Sequence, residues 1–196
     1  MATTAEQLAL PSGERRTDPS LTVYGILALG ISAMVVVGTL FGAWLAIRSG
    51  TKVWPPKGVT IQDYFGVTLS VTALMAALSG WWALYGVRHD ERRQAVLALS
   101  LQIFLEGAMI NLITYVLQTS GLSPRANAYA VLYYALNIAL MALFATAMGV
   151  GAVVLTRVLG GEVTVLEPDL GWAVAWYGTV VALAWFVMFI LVYVVQ

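Results

Sequence analysis

Five long apolar runs, separated by short polar stretches, set the plan of the chain. They cover about residues 21–47, 64–87, 94–118, 127–155 and 170–195. A helix needs about 20 mostly apolar residues to cross a hydrocarbon layer of about 30 Å, and each run reaches that length. The pattern predicts an all-α protein, a polytopic membrane bundle of five transmembrane helices forming one domain over residues 21–196. Residues 1–20 are polar and small, with Pro11, Gly13 and Pro19, and read as a mobile N-terminal tail. Its Arg15-Arg16 pair reads as a positive-inside charge, not an export signal, since the following apolar run is long and lacks a small-residue cleavage pattern.

The stretches between the runs say how each helix stops. Pro55 has no amide hydrogen and forces Trp54 out of helical geometry, so the first helix ends before Trp54-Pro55-Pro56. Trp54 is expected at headgroup level, with Arg48, Lys52 and Lys57 reaching lipid phosphates. Asp63 and Asp169 are expected to cap the second and fifth spans. The connection Arg88-His89-Asp90-Glu91-Arg92-Arg93 is so short that spans two and three must be antiparallel neighbours, and His89 reads as a solvated loop histidine. Gly38 and Gly42, one turn apart, offer a small-residue face on the first span, expected to pack within the chain, with a homodimer contact as the other use. Trp44, Trp81, Trp82 and Trp172, near span ends, read as interfacial anchors, and the methionines as core fillers.

Few polar groups interrupt the runs, and Glu106 is the only ionisable acid or base among them. A charge at that depth costs about 2.5 to 3.5 kcal/mol on insertion scales, so such a residue faces a partner, water or another helix. Gln102 lies four residues away on the same helix face, whereas Asn111 is displaced by about 140° at about 100° per residue. Asn111 and Asn137 both lie two to three turns inside the same membrane face, so a pair between them is geometrically possible.

Composition narrows the function. With 60% apolar and 10% charged residues the chain lies far from soluble domains, in which about a quarter of residues are charged. Zero net charge argues against nucleic acid as a partner, which would require concentrated Lys and Arg. The absence of cysteine and the presence of one histidine make the chain a poor host for haem, copper, zinc or iron–sulfur clusters. Arg15, Arg16, Arg88, Arg92, Arg93 and Arg157 fall on the N-terminal side of the membrane, against Arg48, Lys52, Lys57 and Arg125 on the other. This bias predicts a cytoplasmic N-terminus and an external C-terminus. No internal repeat argues for an inverted-repeat transporter.

Three stretches together resemble subunit III of the haem–copper terminal oxidases, the cytochrome c oxidase subunit III family, in its five-helix bacterial form. Trp54-Pro55-Pro56 after the first span is similar to the family's outer tryptophan–proline–proline segment. Tyr129, Tyr133 and Tyr134 resemble the tyrosine-rich entry of a family helix. Trp185, Phe189 and Tyr193 match the spacing of the family's closing aromatics. The positions of the family's intramembrane glutamate, histidine pair, and terminal-helix histidine and aspartate are here Ala33, Leu140 and Leu143, and Thr179 and Ala182. Glu106 occupies none of the family's acidic positions.

The resemblance implies an accessory subunit of the bacterial plasma membrane, part of an oxidoreductase complex but without an active site of its own. It would carry no cofactor, with haem and copper in partner subunits. It would pack on the catalytic subunit, hold phospholipid and support aerobic electron transport. A tethering subunit of another respiratory complex, and a small membrane carrier or channel lined by Gln102, Glu106 and Asn111, are the alternatives. Glu106 then reads as a protonated, hydrogen-bonded residue facing a helix of the bundle or a partner, with proton conduction as the other reading.

Overall fold

The computed structural model describes residues 21–56, 63–163 and 168–195, so residues 1–20 and Lys57 lie outside the described residues, as does the side chain of Asp63. Five helices follow one another: α1 (Leu21–Gly50), α2 (Asp63–Arg88), α3 (Arg92–Thr119), α4 (Ala128–Gly160) and α5 (Asp169–Phe189). A π-helical turn, Ile190–Val194, prolongs α5. All five are long and apolar enough to cross a membrane, and the chain is a multi-pass membrane protein. No strand occurs among the described residues.

Helices α2, α3, α4 and α5 pack each against the next to close a four-helix ring, and α1 lies along α4 and α5 on the outside of it. Short connections enforce part of this order. Between α2 and α3 the backbone turns within a few residues, with Asp90 in the left-handed region at φ 58°. The Glu91 N–H donates to the Gly86 carbonyl at 2.8 Å, closing the turn. At Gly86 the partner helix comes so near that a Cβ would stand 2.7 Å from the Ala95 backbone nitrogen.

The helix ends follow from local chemistry. Asn127 caps α4, its side chain accepting from the Ala130 N–H at 2.8 Å. At the other end Gly161 takes φ 78°, and the N–H groups of Gly161 and Glu162 return to the carbonyls of Val158 and Arg157. That left-handed glycine stops α4, which runs to Gly160 instead of ending near Leu155. Asp169 does not cap α5: Pro168 takes the cap position without a side-chain bond, and Asp169 stands inside the first turn. There its negative charge still meets the positive end of the helix dipole.

Because lipid is as apolar as leucine, packing within the bundle rests on shape and on a few polar contacts. The largest enclosed side chains are Trp44, Trp185, Tyr129, Tyr133, Tyr177 and Phe144. Trp44 is fully buried, so it belongs to the core and not to an interfacial belt. Gly38 and Gly42 also depart from expectation: both are exposed, with nothing in the chain within 4 Å of where a Cβ would stand. The reason is the position of α1, which packs mainly on α4 and α5 and turns the Gly38–Gly42 side outward.

Trp185 of α5 donates from Nε1 to the Ser70 hydroxyl of α2 at 3.1 Å, one of the few polar links across the ring. Interhelical bonds of this type contribute about 0.6 kcal/mol on average and at most about 1.7. Trp185→Phe is therefore expected to lower the thermal unfolding midpoint in detergent slightly. A loss of folded protein would show that the indole has a larger role than this single bond.

Candidate functional site

The polar centre of the bundle is built on one face of α3. Gln102 donates from Nε2 to Glu106 Oε1 at 2.9 Å, and each residue is only 1% exposed. The spacing of four residues brings the two side chains together, and the neighbouring helices make room for them. A Cβ on Gly80 of α2 would lie 3.1 Å from Gln102 Oε1, and one on Gly178 of α5 would lie 3.1 Å from Gln102 Nε2. The carboxamide thus sits in a slot between two bare backbones. Gln102 Oε1 and Glu106 Oε2 have no hydrogen-bond partner among the described residues. Tyr177 of α5 is within electrostatic reach of Glu106, and its hydroxyl shares a 2.7 Å hydrogen bond with Thr146 of α4. The Gly80 and Gly178 slot and the Tyr177–Thr146 link escape a reading of the sequence. Each joins residues from different helices, and no spacing along one helix marks them.

The two asparagines do not meet. Asn137 is buried and donates from Nδ2 to the Tyr133 carbonyl of its own helix at 2.8 Å, whereas Asn111 is exposed on the outer face of α3. Their similar depth is outweighed by rotation about the helix axes, which turns one amide inward and the other outward.

At the end of the bundle where α1 stops and α4 begins, an aromatic cluster gathers residues far apart in sequence. Trp54 leaves the end of α1 and folds back, its ring centroid 5.0 Å from Trp44 and 4.9 Å from Tyr129. Trp54 therefore packs half-buried against the bundle. Pro55 and Pro56 follow it, also half-buried. Tyr129 stacks on Tyr133 at 6.2 Å, and the Tyr133 hydroxyl has Tyr193, near the end of the chain, as a hydrogen-bonding partner. Phe189 stacks on Tyr193 at 5.5 Å, while the Tyr134 hydroxyl donates to the Leu117 or Leu122 carbonyl, at 3.1 and 3.0 Å. Trp44 Nε1 and the Tyr129 hydroxyl are buried without a hydrogen-bond partner among the described residues. Arg48 is half-buried and Lys52 exposed at the same end.

The opposite end carries most of the described charges. Arg92 donates to the Leu159 carbonyl, tying α3 to the end of α4, and Arg157 lies 3.9 Å from Glu162. His89 is exposed and stacks on Tyr85 with centroids 3.9 Å apart. Where a glutamate or histidines would stand in the subunit III pattern, Ala33 and Leu140 are buried apolar residues. Thr179 accepts a 2.9 Å hydrogen bond from Trp81 Nε1. Among the described residues no group of His, Cys, Asp or Glu side chains is arranged to hold a metal ion. Glu106 is the one carboxylate at the centre among the described residues, with the Tyr177 hydroxyl within its electrostatic reach.

No family model matches the chain. The chain is similar to the protein named cytochrome c oxidase subunit 3 of Thermostichus vulcanus, 26% identical over 127 residues, which is 61% of this chain and 59% of that protein. It is also similar to the proteins of the same name from Oncorhynchus mykiss and Gadus morhua, 41% identical over 54 residues, 26% of this chain and 21% of each relative. The matches thus span about a fifth of the fish proteins and about three-fifths of the Thermostichus one. These relatives carry the name of the family that the tryptophan–proline–proline, tyrosine and closing aromatic stretches resemble.

Proposed function

We propose that this chain is a cofactor-free accessory subunit of a haem–copper terminal oxidase, seated in a bacterial plasma membrane beside the catalytic subunit. The similarity to cytochrome c oxidase subunit 3 over 61% of the chain carries this reading. The aromatic cluster supports it, because Trp54, Tyr129, Tyr133 and Tyr193, drawn from the three stretches of the resemblance, pack into one contiguous unit. In this role the chain contributes to oxygen reduction through its partner, in which haem and copper reside, and it supports aerobic electron transport. The N-terminus faces the cytoplasm and the C-terminus the outside.

Lipid holding belongs to the same reading. An apolar groove of about 440 Å³ runs between α1 and α4, with Gly25 and Gly149 leaving space between Ile26, Leu29, Val150 and Val153. It lies in the first half of α1, whereas Arg48 and Lys52 lie at the far end, over 20 residues and so about 30 Å along the axis. An acyl chain in the groove therefore has its headgroup at the Arg157 end of α4, and Arg48 and Lys52 hold a different lipid in the other leaflet.

Gentle solubilisation of native membranes tests the reading. The chain is expected to copurify with a large membrane subunit that carries haem and copper, and to show no visible absorption once separated from it. A chain that purifies alone with its own haem, or whose copurifying neighbours bear no haem and copper, would overturn the assignment.

A further inference from the structure

The side of the bundle formed by α3 and α4 carries an amide to which the described residues give no hydrogen-bond partner, at membrane depth. Helix α3 is 28 residues long, about 42 Å, so it projects about 6 Å beyond each side of a 30 Å hydrocarbon layer. Asn111 lies eight residues before its last residue, about 12 Å along the axis, and so about 6 Å inside the hydrocarbon. It is exposed, its side chain makes no hydrogen bond among the described residues, and hydrocarbon at that depth offers no water to satisfy it.

Beside it runs an open groove of about 350 Å³ between α3 and α4, lined by Thr114, Leu117, Gln118, Tyr134, Ile138 and Met141. Asn111 is seven residues from Gln118 and three from Thr114, which sets it on the same side of α3, along the line of the groove and deeper in the membrane. The groove's polar groups are otherwise occupied: the Thr114 hydroxyl donates to the Ile110 carbonyl, and the Tyr134 hydroxyl is bonded to carbonyls of Leu117 and Leu122. Gln118, exposed at the mouth of the groove, lies seven residues and so about 10 Å nearer the end of α3 than Asn111.

We infer that the α3–α4 groove receives a transmembrane helix of another protein, which offers a hydrogen-bonding side chain to Asn111. Hydrogen-bond complementarity selects this occupant. An acyl chain has nothing to bond an amide below the ester level, whereas a helix carrying Ser, Thr, Asn or Gln does, and such contacts set the register of helices in lipid. A second copy of this chain is a poor fit, because a two-fold contact would set the groove against itself, concavity to concavity. The inference goes beyond the oxidase assignment by naming the docking face, and the identity of the bound protein separates the two.

A photo-crosslinking residue placed at Ile138, which is 57% exposed on the α4 wall, tests this in native membranes, with Leu78 of α2, 58% exposed, as the control position. The Ile138 probe is expected to give one discrete protein adduct, while the Leu78 probe gives lipid adducts only. Asn111→Leu should reduce the protein adduct about fivefold without shifting the melting midpoint of the purified chain, since the amide touches no other side chain by hydrogen bond. Lipid adducts alone at Ile138, an adduct with a second copy, or a protein adduct indifferent to Asn111→Leu would each overturn the inference. If mass spectrometry identifies the adduct as a protein unrelated to a haem–copper oxidase, the docking face stands and the oxidase assignment falls.

Discussion

Gly86→Ala should be among the most damaging single-methyl changes in the bundle. At this position a Cβ would stand 2.7 Å from the backbone nitrogen of Ala95 and 3.2 Å from its Cα. A flexible side chain would swing away at small cost, but a backbone in the first turns of α3 cannot move without the helix. The contact lies beside the tight turn in which Glu91 N–H meets the Gly86 carbonyl at 2.8 Å, so parting the helices also strains that closure. Overpacking of this kind costs about 1–3 kcal/mol, more than the roughly 1 kcal/mol that alanine gains over glycine from helix propensity. Gly86→Val should be worse still. The measurement is the melting midpoint and the yield of folded protein in detergent, with Gly38→Ala as the internal comparison. Gly38 has nothing within 4 Å, so its alanine variant should keep or slightly raise the stability of the isolated chain. Equal behaviour of the two variants would refute the close approach of α2 and α3 at Gly86.

Glu106→Leu is expected to cost about 1–3 kcal/mol, because it leaves the buried Gln102 Nε2 donor without an acceptor. The amide has no alternative: it is held between Gly80 and Gly178, where a Cβ on either would stand 3.1 Å away. Glu106→Gln keeps a carbonyl oxygen in the place of Oε1 and should leave stability nearly unchanged and, under the proposed oxidase role, turnover of the assembled complex as well. The double variant Gln102→Met with Glu106→Leu removes donor and acceptor together and should recover most of the stability lost in Glu106→Leu alone. Differential melting of the four proteins in one detergent reads the cycle. A large loss of turnover in a fully assembled Glu106→Gln complex would instead assign Glu106 to proton transfer.

Much of this structure is legible in residue order alone. The apolar runs identify five membrane-spanning helices, since only a helix satisfies its own backbone groups in hydrocarbon. The four-residue spacing of Gln102 and Glu106 brings them to one face, where they bond. Pro55 marks where α1 must have ended. What escapes is rotation and partnering. Asn111 and Asn137 have similar depths, yet one faces outward and the other bonds to its own helix. Trp44 and Trp54 have the composition of belt residues but meet each other and Tyr129 at about 5 Å. Gly38 and Gly42 show a packing pattern with nothing among the described residues within 4 Å of where a Cβ would stand, while at Gly80, Gly86 and Gly178, none with a second glycine four residues away, a Cβ would lie within 3.1 Å of a neighbouring helix.

By itself, then, the sequence determined the fold class and the number of spans, because these depend on sums over many residues: hydropathy and the length of each apolar run. Its aromatic stretches also pointed to the family whose name the similar proteins carry. Only the tertiary structure decided that α1 lies outside a ring of four helices, that Gln102 is seated between two glycines, and that the distant aromatic stretches form one cluster. In lipid no hydrophobic force ranks one apolar face above another, so the pairing of helices is settled by shape and by a few hydrogen bonds. Both are properties of two surfaces together and are not carried by either segment alone.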